Sequence, residues 1–176
     1  MGRCGTWNES WGQCLAPSNR MRKRLVPHSS KSLSPREPDW LGMESSAEAE
    51  VTSEDAAFPL ESALGILPGP GWKAAEPGTQ MIRLLFDHPL RVRRIHLEFC
   101  EEHGERTQEF VLRWSGDGGK TYREILRQQF NFSASATREI EDYTVDLDKV
   151  SALEIRIVPD LSRGDARASL RRLQIA

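Results

Sequence analysis

From Met81 onward, apolar residues return at every second position in one short run after another, and this period of two is the feature that most restricts the fold. Ile82, Leu84 and Phe86 share one face. Ile95, Leu97 and Phe99 do the same against Arg94, His96 and Glu98. Phe110, Leu112 and Trp114 then lead into Gly116-Asp117-Gly118-Gly119, where several positions tolerate positive φ, so a hairpin is expected there. Its return strand spans Thr121 to Phe132, followed by strands at Arg138 to Leu147, Ala152 to Val158 and Ser169 to Ala176. Leu60 to Leu64 can form one helical turn after Pro59, and the Pro/Gly run that follows breaks it. About seven short strands with no room for helical crossovers predict an all-β chain, an antiparallel jelly-roll β-sandwich.

Upstream of this pattern the chain changes character. Residues 1–50 show neither period, carry four prolines and a serine cluster at Ser29, Ser30, Ser32 and Ser34, and read as a disordered or misassigned N-terminal extension. The folded domain is expected over 51–176. Met43 opens an acidic, Ala/Ser-rich stretch and is a candidate for the natural start. The net charge of -2 divides unevenly, because Met1 to Leu41 holds seven basic residues against three acidic ones and leaves the remainder near -6. A domain of that sign lacks the electrostatic footprint for a phosphate backbone, so nucleic acid is not an expected partner. The basic knot Arg20 to Arg24 is too short to change this. No apolar run is long enough to span a bilayer, and the first residues lack the apolar core of a secretory signal. Cytoplasmic localisation without membrane insertion is therefore expected. Of the three cysteines, Cys4 and Cys14 lie in the extension and Cys100 stands alone in the body, which fits a reducing compartment and offers no zinc spacing.

The order of landmarks resembles the discoidin, or coagulation-factor C-type, domains of the galactose-binding-like superfamily. The resemblance is carried by Ser53 to Leu64, Gly71-Trp72, the strand pair Gln80 to Asp87 and Val92 to Leu97, then Phe110 to Gly118 and Leu153 to Pro159. It implies a non-enzymatic ligand-binding module. Extracellular members join their two ends by a disulfide, for which Cys100 has no partner in the domain, and the loop tips of lipid-binding members have no counterpart here. Ser115-Gly116-Asp117-Gly118-Gly119-Lys120-Thr121-Tyr122 also resembles the Asp-box hairpin of sialidase-like propellers. One such box cannot build a propeller, and its aspartate is explained by turn chemistry.

No nucleophile with a base, metal cluster or phosphate loop emerges, so neither catalysis nor a cofactor is expected. His103 within Glu101-Glu102-His103-Gly104-Glu105 sketches a cation site, but a solvated hairpin tip explains the loop as well. Binding has better candidates. Trp72, in a Gly/Pro-rich loop, either offers a face for a sugar ring or anchors the core, and Lys73 beside it can donate to hydroxyls. Gln108, Gln128 and Asn131, with Arg106 nearby, suit sugar hydroxyls or peptide backbone. Gln128 alternates with Leu126 and Phe130, which makes it a buried amide or part of a concave face. Asp160, Arg163 and Asp165 would rim a pocket if their loop shares the Trp72 end. The expected ligand is a carbohydrate held by loops at one end; a protein partner docked on the exposed β-face is the alternative.

Overall fold

A computed structural model describes residues 39–43, 46–65, 69–101, 104–162 and 164–176. The expectations for Cys4, Cys14 and Arg20 to Arg24, together with those for His103 and Arg163, lie outside the described residues. Among the described residues, eight strands follow in chain order. They are β1 (Ala47–Val51), β2 (Trp72–Pro77), β3 (Gln80–Cys100), β4 (Arg106–Ser115), β5 (Arg123–Phe132), β6 (Arg138–Val158), β7 (Arg167–Leu170) and β8 (Arg172–Ile175), with the one-turn helix α1 (Glu61–Leu64) between β1 and β2.

Two of the expected strand pairs are fused into single elements, because β3 and β6 each run for 21 residues. They are antiparallel partners along their whole length, but their register shifts between Leu85 and Arg94. Before the shift, β1 pairs residues 82–86 of β3 while β4 pairs residues 152–158 of β6, giving the five-strand order β1-β3-β6-β4-β5. After it, β8 pairs residues 95–98 of β3, and β6 flanks the other side as far as Arg138. One hydrogen-bonded ribbon thus turns a corner and belongs to two layers. Asp87, His88 and Pro89 sit at the bend of β3, and Lys149 at the bend of β6 has φ 57. Bulges of this kind are how strands change sheets.

Alternation then places the core between the layers. Ile82, Leu84, Phe110, Leu112, Ile155 and Ile157 from the five-stranded layer, and Ile95, Leu97, Phe99, Leu173 and Ile175 from the three-stranded one, are all buried. Phe99 lies 5.1 Å from Phe110 and 5.3 Å from Phe130, ring centroid to centroid, across the interior. The outer face of the larger layer is a charged ladder in which Arg83 bridges Glu50 at 2.7 Å and Glu154 at 2.9 Å. This is the inside-outside pattern that a two-residue period imposes on a sandwich.

The boundary expected at Val51 moves towards the N-terminus. The Leu41 amide donates to the Ile175 carbonyl at 2.9 Å, Met43 is buried, and Ala47–Val51 completes one edge of the larger sheet. Charged alternation in Ala47–Val51, with glutamates at 48 and 50, hid this strand, since an edge needs only one covered face. Trp40 joins as well, tilted against His96 and lying beneath the Arg94 guanidinium at 5.4 Å.

The hairpin between β4 and β5 is the expected Asp-box turn. Asp117 Oδ1 accepts from the Ser115 hydroxyl at 2.6 Å and from the amides of Lys120 and Thr121, while Oδ2 accepts from the Thr121 hydroxyl at 2.6 Å. Gly118 and Gly119 take the positive φ values of 74 and 81 that close the turn. These donors, the Ser115 hydroxyl first, hold the Asp117 carboxyl well below the usual carboxylate range. A depressed folded-state pKa adds stability that is complete above the ordinary aspartate range and is lost as pH falls through the folded value. Asp117→Asn is accordingly expected to lower the melting temperature at neutral pH, and the gap to the parent should shrink only in strong acid, as followed by circular dichroism.

Candidate functional site

The end of the sandwich that carries β2 and β7 is built by a small antiparallel ribbon, with Trp72 opposite Leu170 and Lys73 opposite Ser169. Alternation turns Trp72, Ala74, Ala168 and Leu170 into the core, all at most 1 % exposed, and leaves Lys73, Arg167 and Ser169 on the outer face. Gly71 makes the ribbon's tight entry possible. It has φ 83, and a Cβ there would stand 2.7 Å from the Leu170 carbonyl oxygen.

Trp72 therefore begins a strand and does not sit in an open loop. Its ring is buried, so the stacking role considered for it is corrected: it offers no face to a guest and serves as the anchor of the ribbon. Its indole N–H is buried with no acceptor in the structure.

Beside the ribbon, β4 opens with Arg106, whose side chain is only 8 % exposed. Nη2 pairs with Glu101 Oε2 at 2.6 Å, and Nη1 donates to the Arg167 carbonyl at 3.3 Å. The guanidinium lies 5.7 Å from the Phe132 ring centroid. Burial pulls its pKa down, and Glu101 and Asp160 oppose that pull. Gln108 is fully buried behind it and accepts one N–H from Arg106 at 3.4 Å. The Gln108 amide nitrogen and Arg106 Nε have no partners, so two buried donors at this position are unsatisfied. Gln108 is thereby corrected from a ligand contact to a residue that positions Arg106.

The loop after β6 completes the site. Its Leu161 amide donates to the Thr107 carbonyl at 2.9 Å, which pins the loop along the start of β4. Asp160 accepts from the amide and hydroxyl of Ser162, and these bonds hold its carboxyl below the usual range. A cleft of about 350 Å³ results, lined by Lys73, Arg106, Asp160 and Asp165 together with Glu105 and Arg167. A wider hollow of about 580 Å³ adjoins it, sharing Arg106 and Asp160 and adding Asn131. On the other flank a cleft of about 240 Å³ runs over the ribbon, with Lys73, Arg167 and Arg171 at its walls.

The structure thus brings together Lys73, Arg106, Asn131, Asp160 and Asp165 from four separate segments. Gln128 is left out. It is exposed on the edge strand β5 opposite Phe110, and three residues of strand at about 3.3 Å each separate it from Asn131, so it lines none of these clefts. Arg167 and Arg171 were not singled out from the sequence. The signal was there in Arg167-Ala168-Ser169-Leu170-Arg171, where two buried apolar residues alternate with polar ones. Among the described residues, no group of three or more His, Cys, Asp or Glu side chains converges as a metal site would require. No described helix is long and apolar enough to cross a membrane.

No protein-family model matches the chain, and a search of curated proteins finds no relative. Solved structures do match. The family 32 carbohydrate-binding module of NanJ from C. perfringens, in complex with galactose, superposes with a TM-score of 0.59 over 77 % of this chain and 96 % of that one, at 13 % identity. The chain has the galactose-binding-like fold. Chitosan-binding module 1 from the chitosanase/glucanase of Paenibacillus sp. IK-5 matches with a TM-score of 0.54 at 16 % identity, covering 77 % of this chain and 98 % of its own. The carbohydrate-binding module of AlyQ in complex with 4,5-unsaturated mannuronic acid matches with a TM-score of 0.55 at 16 % identity, covering 73 % and 93 %. At the loop end of this galactose-binding-like sandwich, Arg106 and Glu101 form a mostly buried ion pair at 2.6 Å. Arg106→Gln removes the guanidinium that Glu101 meets, and removing one member of a mostly buried pair costs about 3 kcal/mol. Urea denaturation should show that loss with an unchanged m-value.

Proposed function

We propose that this chain is a non-catalytic carbohydrate-binding module whose ligand lies in the clefts around Lys73, Arg106 and Asp165. The observation that carries the reading is the mixed donor and acceptor lining of one cleft at the loop end: an ammonium, two guanidinium groups and four carboxylates around a space of about 350 Å³. Sugar hydroxyls both donate and accept, so a lining of both kinds satisfies them better than one of a single sign. The solved structures of this fold that carry galactose or mannuronic acid support the same class of ligand. The residues that converge here supply no nucleophile paired with a base, and His96, 3.5 Å from its β6 register partner Asp142, lines none of these clefts. Turnover of chromogenic glycosides is accordingly not expected.

A second reading keeps one specific observation. Among the described residues no strand pairs the outer edge of residues 138–150 of β6, and an open edge can take up an extended segment of a protein partner. A cytoplasmic setting belongs with that reading.

A glycan array followed by calorimetry separates the two. The carbohydrate reading expects binding to at least one glycan and a loss of about tenfold in Lys73→Ala, the effect of removing one charged hydrogen bond. A protein that binds no glycan, and that loses its cellular partner when the 138–150 edge is blocked, would establish the second reading in its place.

A further inference from the structure

The cleft of about 240 Å³ on the far flank of the ribbon differs from its neighbour in charge. Lys73, Arg167 and Arg171 stand on its walls, and Glu101 is the one carboxylate among its lining residues. That carboxylate is already held 2.6 Å from Arg106. Among the described residues the Lys73 ammonium makes no ion pair. Arg171 donates one N–H to the Pro70 carbonyl at 3.1 Å and meets no carboxylate there. Arg167 reaches Asp55 only at 3.9 Å. Cys100, also at the wall, keeps its proton, since burial and then Glu98 push its thiol up.

Lys73 and Arg171 therefore face one small cavity with no ion pair of their own among the described residues, and Arg167 beside them keeps only its 3.9 Å contact with Asp55, in a chain whose overall charge is -2. The arrangement follows from the strand. Arg167 and Ser169 alternate with the buried Ala168 and Leu170, and Ser169 stands opposite Lys73, so these three fall on one face, while Arg171, in the bend after β7, lines the same cleft. Like charges placed this closely repel one another, and an anionic guest relieves the repulsion while a guanidinium offers it paired N–H donors. The neighbouring cleft shares Lys73, Arg167 and Glu101 but adds Asp160, Asp165 and Glu105 against one further cation, Arg106, and its mixed lining suits neutral hydroxyls. The two clefts are neighbours that share Lys73, Glu101 and Arg167 in their walls.

We propose that the saccharide bound at this end is an anionic one, its carboxylate or sulfate seated among Lys73, Arg167 and Arg171 while its neutral hydroxyls occupy the adjoining cleft. The proposal rests on the carbohydrate reading and narrows it to acidic sugars.

The test is calorimetric titration of the full chain with four probes: trigalacturonate, its methyl ester, galactotriose, and a sulfated galactose oligosaccharide. The expected result is affinity for trigalacturonate or the sulfated oligosaccharide about tenfold or more above that for the ester and galactotriose, falling as salt is raised. Preference for the carboxylate over the sulfate, or the reverse, identifies which anion the cleft takes. Arg171→Gln and, separately, Arg167→Gln should erase the preference. Arg91→Gln, which removes an exposed cation paired with Asp146 elsewhere, should leave it intact. Equal or tighter binding of galactotriose would overturn the proposal while leaving the carbohydrate reading standing. Displacement of the sugar by polyglutamate at equal charge concentration would overturn it too, as generic anion binding. No binding of any saccharide, on the array or in solution, would remove the carbohydrate reading and this proposal with it.

Discussion

The pairing of β3 with β6 through a shared corner is what the rest of the molecule depends on. Because the two 21-residue strands stay hydrogen-bonded while their register shifts, a single ribbon supplies two strands to each layer. β1 and β8 add to β3 and β4 adds to β6, β5 extends the sheet beyond β4, and β2 pairs with β7 in a ribbon of its own. Phe99 on one half meets Phe110 and Phe130 on the other half's layer, so the corner also sets the distance across which the core must close. Once the layers are fixed, the loops joining them collect at the two ends. The end bearing β2, β7 and the start of β4 gathers the polar side chains that converge.

That convergence has a cost in hydrogen bonding which the structure leaves visible. Arg106 Nε, the Gln108 amide and the Trp72 indole N–H are buried without acceptors, and all three belong to the ribbon and strand that frame the clefts. Native interiors carry few such groups, and they concentrate where function competes with packing. Arg106 is held by Glu101, by the Arg167 carbonyl and by the Phe132 ring, so its position does not depend on a guest. A preorganised guanidinium loses little freedom when it binds.

Much of this was legible in the sequence. The alternation of Ile82, Leu84 and Phe86 and of Ile95, Leu97 and Phe99 gave the strands and their inward faces, and the glycines after Ser115 gave the hairpin. What period alone could not show was that two such runs form one bent strand, because a corner interrupts alternation just as a loop does. The edge strand Ala47–Val51 and the strand at Trp72 were also hidden, the first by its charges and the second by the Pro/Gly run before it. At the site, Lys73, Arg106, Asn131, Asp160 and Asp165 were found from residue type, and their meeting is a fact of three dimensions. Trp72 and Gln108 were taken for contacts because side-chain chemistry is readable from sequence and depth is not. Arg167 and Arg171 passed unnoticed because a four-residue strand is too short for its period to stand out.

The most direct measurement is a two-dimensional amide and side-chain NMR titration of the full chain with the tightest-binding glycan. The account predicts that shifts centre on Lys73, the Arg106 Nε–H, the Gln108 side-chain amide and Asp165, at one end of the sandwich. Shifts confined to residues 138–150 of β6, or spread evenly over the surface, would contradict it.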